Sequence, residues 1–241
     1  MKRLASTMNN DFTVQVRNKL YHIGVGACVI FGLILSQIAF LVDLARGVPV
    51  VVLLISGGGG LLYVAALIIM EKDEGTLSAL IVSPLRTHEY LLSKVVTLTF
   101  LAIVESTVLI GVALLVVSRS ASLPPFDVPM LLAGIAATGI LYTLIGIIMS
   151  VRYDSITDMI VPLITVGMVF QLPFLHFLGL LEHPLFLVVP TSAPAVLMQG
   201  AFRAATAWEW VYGVGYTAAW TVGLACWAYA SFKSYVVMRM G

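Results

Sequence analysis

The stretch of sequence that decides the fold is 71–94, which reads EKDEGTLSALIVSPLRTHEYLLSK. It is the longest polar interval between two long apolar runs, and it combines clustered charges with a glycine, a proline and a helical pattern of leucines. An apolar helix face that charges hold outside the lipid is typical of a surface that contacts another protein. We therefore predict that 71–94 is a contact surface and that the apolar runs form the body of the molecule.

The composition indicates a membrane protein. Hydrophobic residues make up 60% of the 241-residue chain and charged residues 10%, whereas soluble domains carry about 25% charged residues. Six apolar runs have transmembrane length, at 22–42, 48–70, 95–118, 129–150, 159–181 and 211–231. Backbone groups in lipid must be hydrogen-bonded within their own segment. We therefore predict an all-α polytopic membrane protein with six transmembrane helices in a single domain, 1–241.

The distribution of basic residues predicts the orientation of these spans. With a cytoplasmic N terminus, ten Lys and Arg residues fall inside and three fall outside. The inside set is Lys2, Arg3, Arg17, Lys19, Lys72, Arg86, Lys94, Arg152, Lys233 and Arg239, and the outside set is Arg46, Arg119 and Arg203. Both termini and 71–94 are therefore predicted to face the cytoplasm.

The segments around the spans carry their own patterns. In 1–20, apolar residues recur at every fourth position, which predicts an amphipathic helix on the lipid surface beside anionic headgroups. These residues are Leu4, Met8, Phe12, Val16 and Leu20. Segment 182–210 is too apolar for a simple loop and is broken by prolines, so we predict one or two short helices that enter the outer leaflet. A tight outer turn is predicted at 43–47.

Glycine, proline and cysteine residues within the spans add structural expectations. Pro162 and Pro173 predict kinks in the fifth span. The glycines at 57–60 are followed by leucines rather than by the lysine and hydroxyl of a phosphate-binding loop, so we interpret them as sites of close helix packing. Cys28 and Cys226 lie in apolar runs and indicate neither a disulfide nor a metal site.

Within 71–94 the sequence predicts a short helix, a corner and a long helix. Gly75 allows a turn after the charges, and Leu77, Leu80 and Ile81 then share one face of a short helix. In Ser83-Pro84 the serine suits the N-cap and the proline the first helical position. A helix from Pro84 to about 118 would be roughly 50 Å long, well beyond a hydrocarbon core of about 30 Å, so its first turns would project into the cytoplasm.

The motif E-x-x-x-G-T-L-x-x-L-x-x-S-P-L-x-x-x-E-Y-L-x-x-K resembles the signature between the second and third helices of type-2 ABC exporter permeases. It is formed by Glu71, Gly75, Thr76, Leu77, Leu80, Ser83, Pro84, Leu85, Glu89, Tyr90 and Lys94. The family pattern also contains six spans, both ends inside, an amphipathic N-terminal helix and short outer helices before the sixth span. Within this family the chain is most like the small drug-exporter permeases, including the fluoroquinolone exporters.

The resemblance implies a mechanism and partners. Such permeases pair as two half-transporters, as a homodimer or heterodimer, and bind two copies of an ATPase subunit in the cytoplasmic membrane of a prokaryote. They move hydrophobic or amphipathic, drug-like compounds outward. The residues implied for ATPase coupling are Glu71, Glu74, Gly75, Thr76, Leu77, Leu80, Ile81, Ser83 and Pro84. The chain has no Walker A sequence, so either ATP and magnesium would be bound by a separate partner chain or the chain is not an ABC subunit. The resemblance also implies that this subunit is neither an enzyme nor a nucleic-acid binder.

Inside the spans, Glu105 is the only deeply placed acidic residue. A lone charge there is costly, so it should face a partner, a cavity or the dimer seam, or be protonated. Contact with a cationic drug, a proton-linked step and a structural hydrogen bond all remain open for it. Gln37 and Gln171 are weaker candidates for the substrate pathway, since polar side chains also join helices.

Two other classes of protein compete with an ATP-driven exporter. A secondary transporter or channel of six spans would work without an ATPase, although such proteins normally place several charges at mid-membrane. An intramembrane hydrolase would need a nucleophile elbow such as G-x-S-x-G, and the sequence contains none.

Overall fold

The computed structural model describes residues 2–38, 43–77, 85–120, 122–123 and 125–237, and these residues form helices and connections without a strand. The long helices are α1 (Lys2–Arg17), α2 (Leu20–Ile38), α3 (Leu44–Asp73), α4 (Thr87–Val117), α5 (Val128–Ser150) and α6 (Ile156–Gln171). They are followed by α7 (Pro173–Phe177), the 3-10 helix α8 (Pro184–Val188), α9 (Ser192–Gly200) and α10, which runs without interruption over 207–237.

The predicted helical, polytopic membrane protein is confirmed. Five helices of the described part of the chain are long and apolar enough to cross a membrane: Leu20–Gln37, Leu44–Asp73, Thr87–Val117, Val128–Ser150 and Ile156–Phe177. The sixth predicted span lies in α10, whose regular α-helical part is Thr217–Phe232, between the π-helical segments Val211–Tyr216 and Lys233–Val237. A count of six membrane crossings stays a prediction.

Two helix starts differ from the sequence-based expectation. The tight turn predicted at 43–47 is instead the start of α3, because the Asp43 backbone oxygen accepts hydrogen bonds from the amides of Arg46 and Gly47. The third long helix was expected to begin at Pro84, but α4 begins at Thr87. Arg86 is extended there, and its amide donates to Glu89 Oε2 at 2.9 Å, which fixes the helix start. Ser83 and Pro84 lie outside the described residues.

The fifth span is divided at Pro173, one of its two prolines, and a kink at Pro162 stays a prediction. Pro162 lies within α6, whereas Pro173 is the first residue of α7. A proline can begin a helix but cannot donate the hydrogen bond that would continue α6. Segment 182–210 contains the short helices α8 and α9 and the start of α10. The entry of short helices into the outer leaflet stays a prediction.

Helix α5 lies at the centre of the bundle. It packs against α3, α4, α9 and α10, and 72% of its most apolar stretch is buried. Helix α9 is almost wholly buried against α3, α5 and α10. By contrast, α2 and α6 lie at the periphery and expose large apolar side chains. Helix α5 is thus covered by other helices, while α2 and α6 present apolar side chains outward, as is suited to a lipid environment.

The predicted inner and outer segments separate to opposite ends of the bundle. At one end, which we call the α1 end, Lys72 Nζ donates to the backbone oxygen of Tyr153 at 2.6 Å, and the rings of Tyr90 and Phe232 lie 5.0 Å apart. At the other end, the Asp127 amide donates to the Ala201 oxygen at 2.8 Å. Successive long helices therefore run in alternating directions, as expected for consecutive membrane spans joined by short connections.

Close packing of α5 on α9 depends on a glycine and gives a test of the fold. A Cβ on Gly134 would lie 2.9 Å from the Pro194 backbone oxygen and 2.5 Å from Met198 Cγ. Gly134→Ala should cost about 1–3 kcal/mol of stability, since backbone cannot move aside cheaply. The measurement is the thermal unfolding midpoint of detergent-solubilised protein. Gly111→Ala is the control, because its Cβ meets nothing within 4 Å. Equal midpoints for the two variants would contradict this packing.

Candidate functional site

A buried ion cluster joins the two ends of 71–94. Lys94 Nζ, on α4, lies 2.6 Å from Asp11 Oδ1 of α1 and also pairs with Glu71 Oε1 near the end of α3. The exposed fractions of the three side chains are 1% for Lys94, 4% for Asp11 and 16% for Glu71. Because an unpaired charge at such a place would be strongly destabilising, the cluster holds α1, α3 and α4 in a fixed relation.

Neighbouring hydroxyl groups complete the cluster. The Tyr90 hydroxyl donates to Glu71 Oε2 at 2.6 Å, and Ser93 Oγ donates to Asp11 Oδ2 at 2.5 Å. These donors matter because two carboxylates face a single ammonium group, and hydrogen bonds must satisfy the remaining oxygen atoms.

The helical repeat explains how the sequence brings these groups together. Lys94 and Thr97 are three residues apart and lie on the face of α4 that meets α1. Asp11 and Gln15 are four residues apart on α1, and Gln15 Nε2 donates to Thr97 Oγ1 at 2.9 Å. Helix α1 therefore contacts α4 through the polar side chains of Asp11 and Gln15 as well as through its predicted apolar stripe. Val16 is 50% exposed, whereas the polar Asp11 and Gln15 are buried.

Lys72 links the end of α3 to the end of α5. Its Nζ contacts the backbone oxygens of Ser150, Val151 and Tyr153 at 3.4, 3.2 and 2.6 Å. It also lies 3.4 Å from Asp154 Oδ1. A cation at the C-terminal end of a helix satisfies carbonyl groups that have no partner within the helix. The charged residues Glu71 and Lys72 therefore end the second span and also attach the end of α3 to α4 and α5.

The corner after α3 matches the prediction at Gly75, which has φ of +69°, a conformation that favours glycine. Thr76 Oγ1 donates to the backbone oxygen of Glu71 at 3.0 Å, and Glu74 is exposed. The predicted open apolar face is wrong at Leu77, which is 1% exposed because it packs into the protein's own core. The other predicted coupling residues, Leu80, Ile81, Ser83 and Pro84, lie outside the described residues.

Glu105 lies in the interior of the bundle, on α4. It is 3% exposed, and its Oε1 atom has no hydrogen-bond partner among the described residues. The Tyr63 side chain of α3 interacts with the same carboxylate. On α2, Gly24 faces it so closely that an added Cβ would overlap Oε1. The carboxylate also lines a cavity of about 280 Å³ between α2 and α3.

The glycine-rich turn of α3, Ser56–Gly60, is π-helical. A Cβ on Gly57 would lie 2.6 Å from Gln171 Nε2 and 2.8 Å from the Tyr142 hydroxyl oxygen, so close packing explains this glycine. Gly58, by contrast, has open space beside it and lines both the Glu105 cavity and a cavity of about 300 Å³ next to α6. Local π turns often lie at functional sites.

The three predicted pathway residues fall in different places. Glu105 lines the cavity on one side of the glycine turn, and Gln171 lines the cavity on the other side. Gln37 is exposed on α2, contacts Ser36 Oγ at 3.4 Å and lines none of the cavities found among the described residues. Within the described part of the chain, no cluster of His, Cys, Asp and Glu could hold a metal ion.

Sequence reasoning missed Asp11 and Tyr63. One signal was available for Asp11, which is the only acidic residue of 1–20 and breaks an otherwise basic and apolar pattern. Tyr63 carried no comparable signal, because an aromatic residue in an apolar run is ordinary. Its place beside Glu105 depends on how α3 packs against α4.

The long apolar helices of the described residues indicate a multi-pass membrane protein. Comparison with known proteins agrees: residues 2–240 match the model of the fluoroquinolones export permease protein family. The chain is 31% identical over 249 aligned positions to the fluoroquinolones export permease proteins of two Mycobacterium tuberculosis strains, CDC 1551/Oshkosh and H37Rv. The alignments cover 100% of this chain and 99% of each relative. The chain belongs to the fluoroquinolones export permease protein family.

Removing the ammonium group of the ion cluster tests its role in stability. Lys94→Met leaves two buried carboxylates without a cation, which should cost about 3–5 kcal/mol. The triple variant Asp11→Asn, Glu71→Gln and Lys94→Met removes all three charges and should recover much of that loss. Both are measured by denaturant unfolding in detergent micelles.

The control for the ion cluster is Arg203→Gln. It removes the partly exposed pair with Glu209 and should change stability by no more than about 1 kcal/mol. If the triple variant is no more stable than Lys94→Met, the charges are not coupled as described.

Proposed function

We propose that the chain is the membrane half-transporter subunit of an ATP-driven ABC exporter. It moves a hydrophobic or amphipathic, drug-like compound outward across the cytoplasmic membrane of a prokaryote. Two copies of a separate ATPase subunit drive it, and a second permease chain completes the pathway. ATP and magnesium belong to the ATPase, so this subunit is a transporter component without a catalytic site or cofactor of its own. Support comes from the whole-chain family match and from the motif in 71–94.

The observation that carries this proposal is the ion cluster that closes 71–94. Glu71 and Lys94 stand at the two ends of the segment and are paired with each other. A displacement of 71–94 is therefore transmitted to α3 and α4 together, and through Lys72 to the end of α5. A contiguous network of contacts can carry such coupling, and the cluster supports the proposal because it joins the helices on both sides of 71–94.

The docking surface is built on the corner at Gly75. Asp73, Glu74 and Thr76 are exposed there and would supply a polar rim. The sequence pattern predicts that Leu80 and Ile81, which lie outside the described residues, supply the apolar contact with the ATPase. Leu77 is buried within the subunit and instead anchors the corner to the bundle. Interfaces with an apolar centre and a polar rim are typical of specific protein contacts.

The pathway for the exported compound lies around the glycine turn of α3. Glu105 and Gln171 line cavities on its two sides, and α3 also carries the coupling corner at its end. Movement of α3 by the ATPase would therefore change both cavities. A secondary transporter would show the same cavities but would need no ATPase.

Co-purification of the ATPase tests the coupling surface. Leu80→Asp places a charge in the apolar contact and should weaken ATPase binding about tenfold or more, with loss of export. Ser122→Asp, on the opposite side of the predicted membrane, is the control and should co-purify normally. Normal co-purification and export by Leu80→Asp would exclude 71–94 as the docking surface. Export by the chain alone would favour the secondary transporter.

Cysteine labelling tests the proposed orientation. The two native cysteines, of which Cys28 is buried and Cys226 exposed, are first replaced by alanine. A membrane-impermeant maleimide applied to intact cells should label Ser122→Cys and leave Glu74→Cys unlabelled. In inside-out vesicles the pattern should reverse, because the basic α1 end faces the cytoplasm. Labelling of Glu74→Cys from outside would overturn the orientation.

A further inference from the structure

We propose that the cavity between α2 and α3 is a lateral binding site for an organic ammonium ion, with the Glu105 carboxylate at its base. This inference rests on the proposed function and names the chemical class of the exported compound. Such a site needs a cavity, a carboxylate without a cation beside it, room for a ligand next to that carboxylate, and an entrance.

The cavity has three walls of distinct chemistry. Its volume is about 280 Å³, close to the lower end of the range of about 300–1,000 Å³ for small-molecule sites. The cavity is lined by glycines and apolar residues of α2 and α3, including Gly24, Phe31 and Leu54, together with Tyr63 of α3 and Glu105 of α4. The site is therefore apolar except at its base, where the carboxylate and the Tyr63 hydroxyl meet.

The negative charge of the Glu105 carboxylate is not balanced by a positive charge among the described lining residues. The Glu105 Oε1 atom has no hydrogen-bond partner in the described part of the chain, and the ionisable groups near it include those of Tyr21, Cys28 and Tyr63. A buried carboxylate is stabilised when a cation with hydrogen-bond or Coulombic contact joins it. An ammonium group on an apolar body matches both the base and the walls.

Gly24 makes room for the carboxylate. A Cβ on this residue would overlap Oε1 and would lie 3.1 Å from the Tyr63 hydroxyl oxygen. Any larger residue would push Glu105 out of its position. On the same helix, Gly26 has nothing within 4 Å of an added Cβ, so close approach is required at Gly24 but not two residues later.

The entrance lies on the side of the bundle. Phe31 is 43% exposed and Leu54 is 39% exposed, and both stand in long apolar helices away from the helix ends. This side faces the bilayer or the second permease chain. An amphipathic amine that partitions into lipid could therefore enter laterally, with its ammonium group directed to Glu105.

The test uses the purified full-length chain in lipid nanodiscs and radiolabelled benzyltrimethylammonium, a permanent cation with one aromatic ring. Wild type should bind it saturably, and the neutral isostere neopentylbenzene should compete at least about tenfold more weakly. Glu105→Gln should lower the affinity for benzyltrimethylammonium by about tenfold or more. Glu105→Asp keeps the charge and should lower that affinity less.

A matched pair of glycine variants supplies an independent test. Gly24→Ala should weaken binding of benzyltrimethylammonium by about tenfold, since the new methyl group displaces the carboxylate. Gly26→Ala should bind like wild type. The thermal unfolding midpoint of each variant shows whether it is folded, so loss of binding by a folded Gly24→Ala protein supports the site even if Glu105→Gln is unstable.

The inference would be overturned if wild type showed no saturable binding of benzyltrimethylammonium, or if folded Glu105→Gln bound it with wild-type affinity. It would also be overturned if Gly24→Ala and Gly26→Ala lost affinity for it equally. Co-purification with the ATPase separates this inference from the proposed function. If the ATPase binds but the cation does not, only the ammonium site fails. If the cation binds through Glu105 but no ATPase binds, the ATP-driven exporter fails and the site stands.

Discussion

The burial of the Lys94 ammonium group between Asp11 and Glu71 is the constraint on which the arrangement of the α1 end depends. A charge removed from water is tolerated only with close partners, and here each partner belongs to a different helix. The ion cluster therefore fixes α1 against α4 and α3 against α4 at once. It also explains why α1, although amphipathic, buries two polar residues and leaves Val16 half exposed. In this protein the N-terminal helix is part of the fold rather than only a contact with lipid.

Helix α3 carries two contrasting kinds of interaction along its length. Near its end, Glu71 and Lys72 make ion pairs and hydrogen bonds that tie it to α4 and α5. At Ser56–Gly60 it lacks large side chains, so Tyr142 and Gln171 approach closely on one side while cavities remain beside Gly58. Helix α3 is therefore held by charged groups at its end and by close approach of its neighbours at its glycine turn.

The central position of α5 places the other helices in two groups. Helices α3, α4, α9 and α10 share its buried surface, whereas α2 and α6 have broad apolar faces outside the core. In water such faces would promote aggregation, but in a bilayer they cost little. The Glu105 cavity lies between α2 and α3, with the carboxylate of α4 at its base.

The sequence by itself determined the helical membrane class, the approximate limits of the five long apolar helices, the glycine corner at Gly75 and the short helices of 182–210. Each follows from local hydropathy, chain length or backbone preference, and none needs knowledge of a distant residue. The motif of 71–94 also indicated the family. The tertiary structure decided which faces meet. It paired Asp11 with Lys94, 83 residues apart, buried Leu77, and placed Gly24 and Tyr63 beside Glu105. These relations depend on the rotation and crossing of helices, which a repeat of 3.6 residues in one helix does not specify for its neighbours.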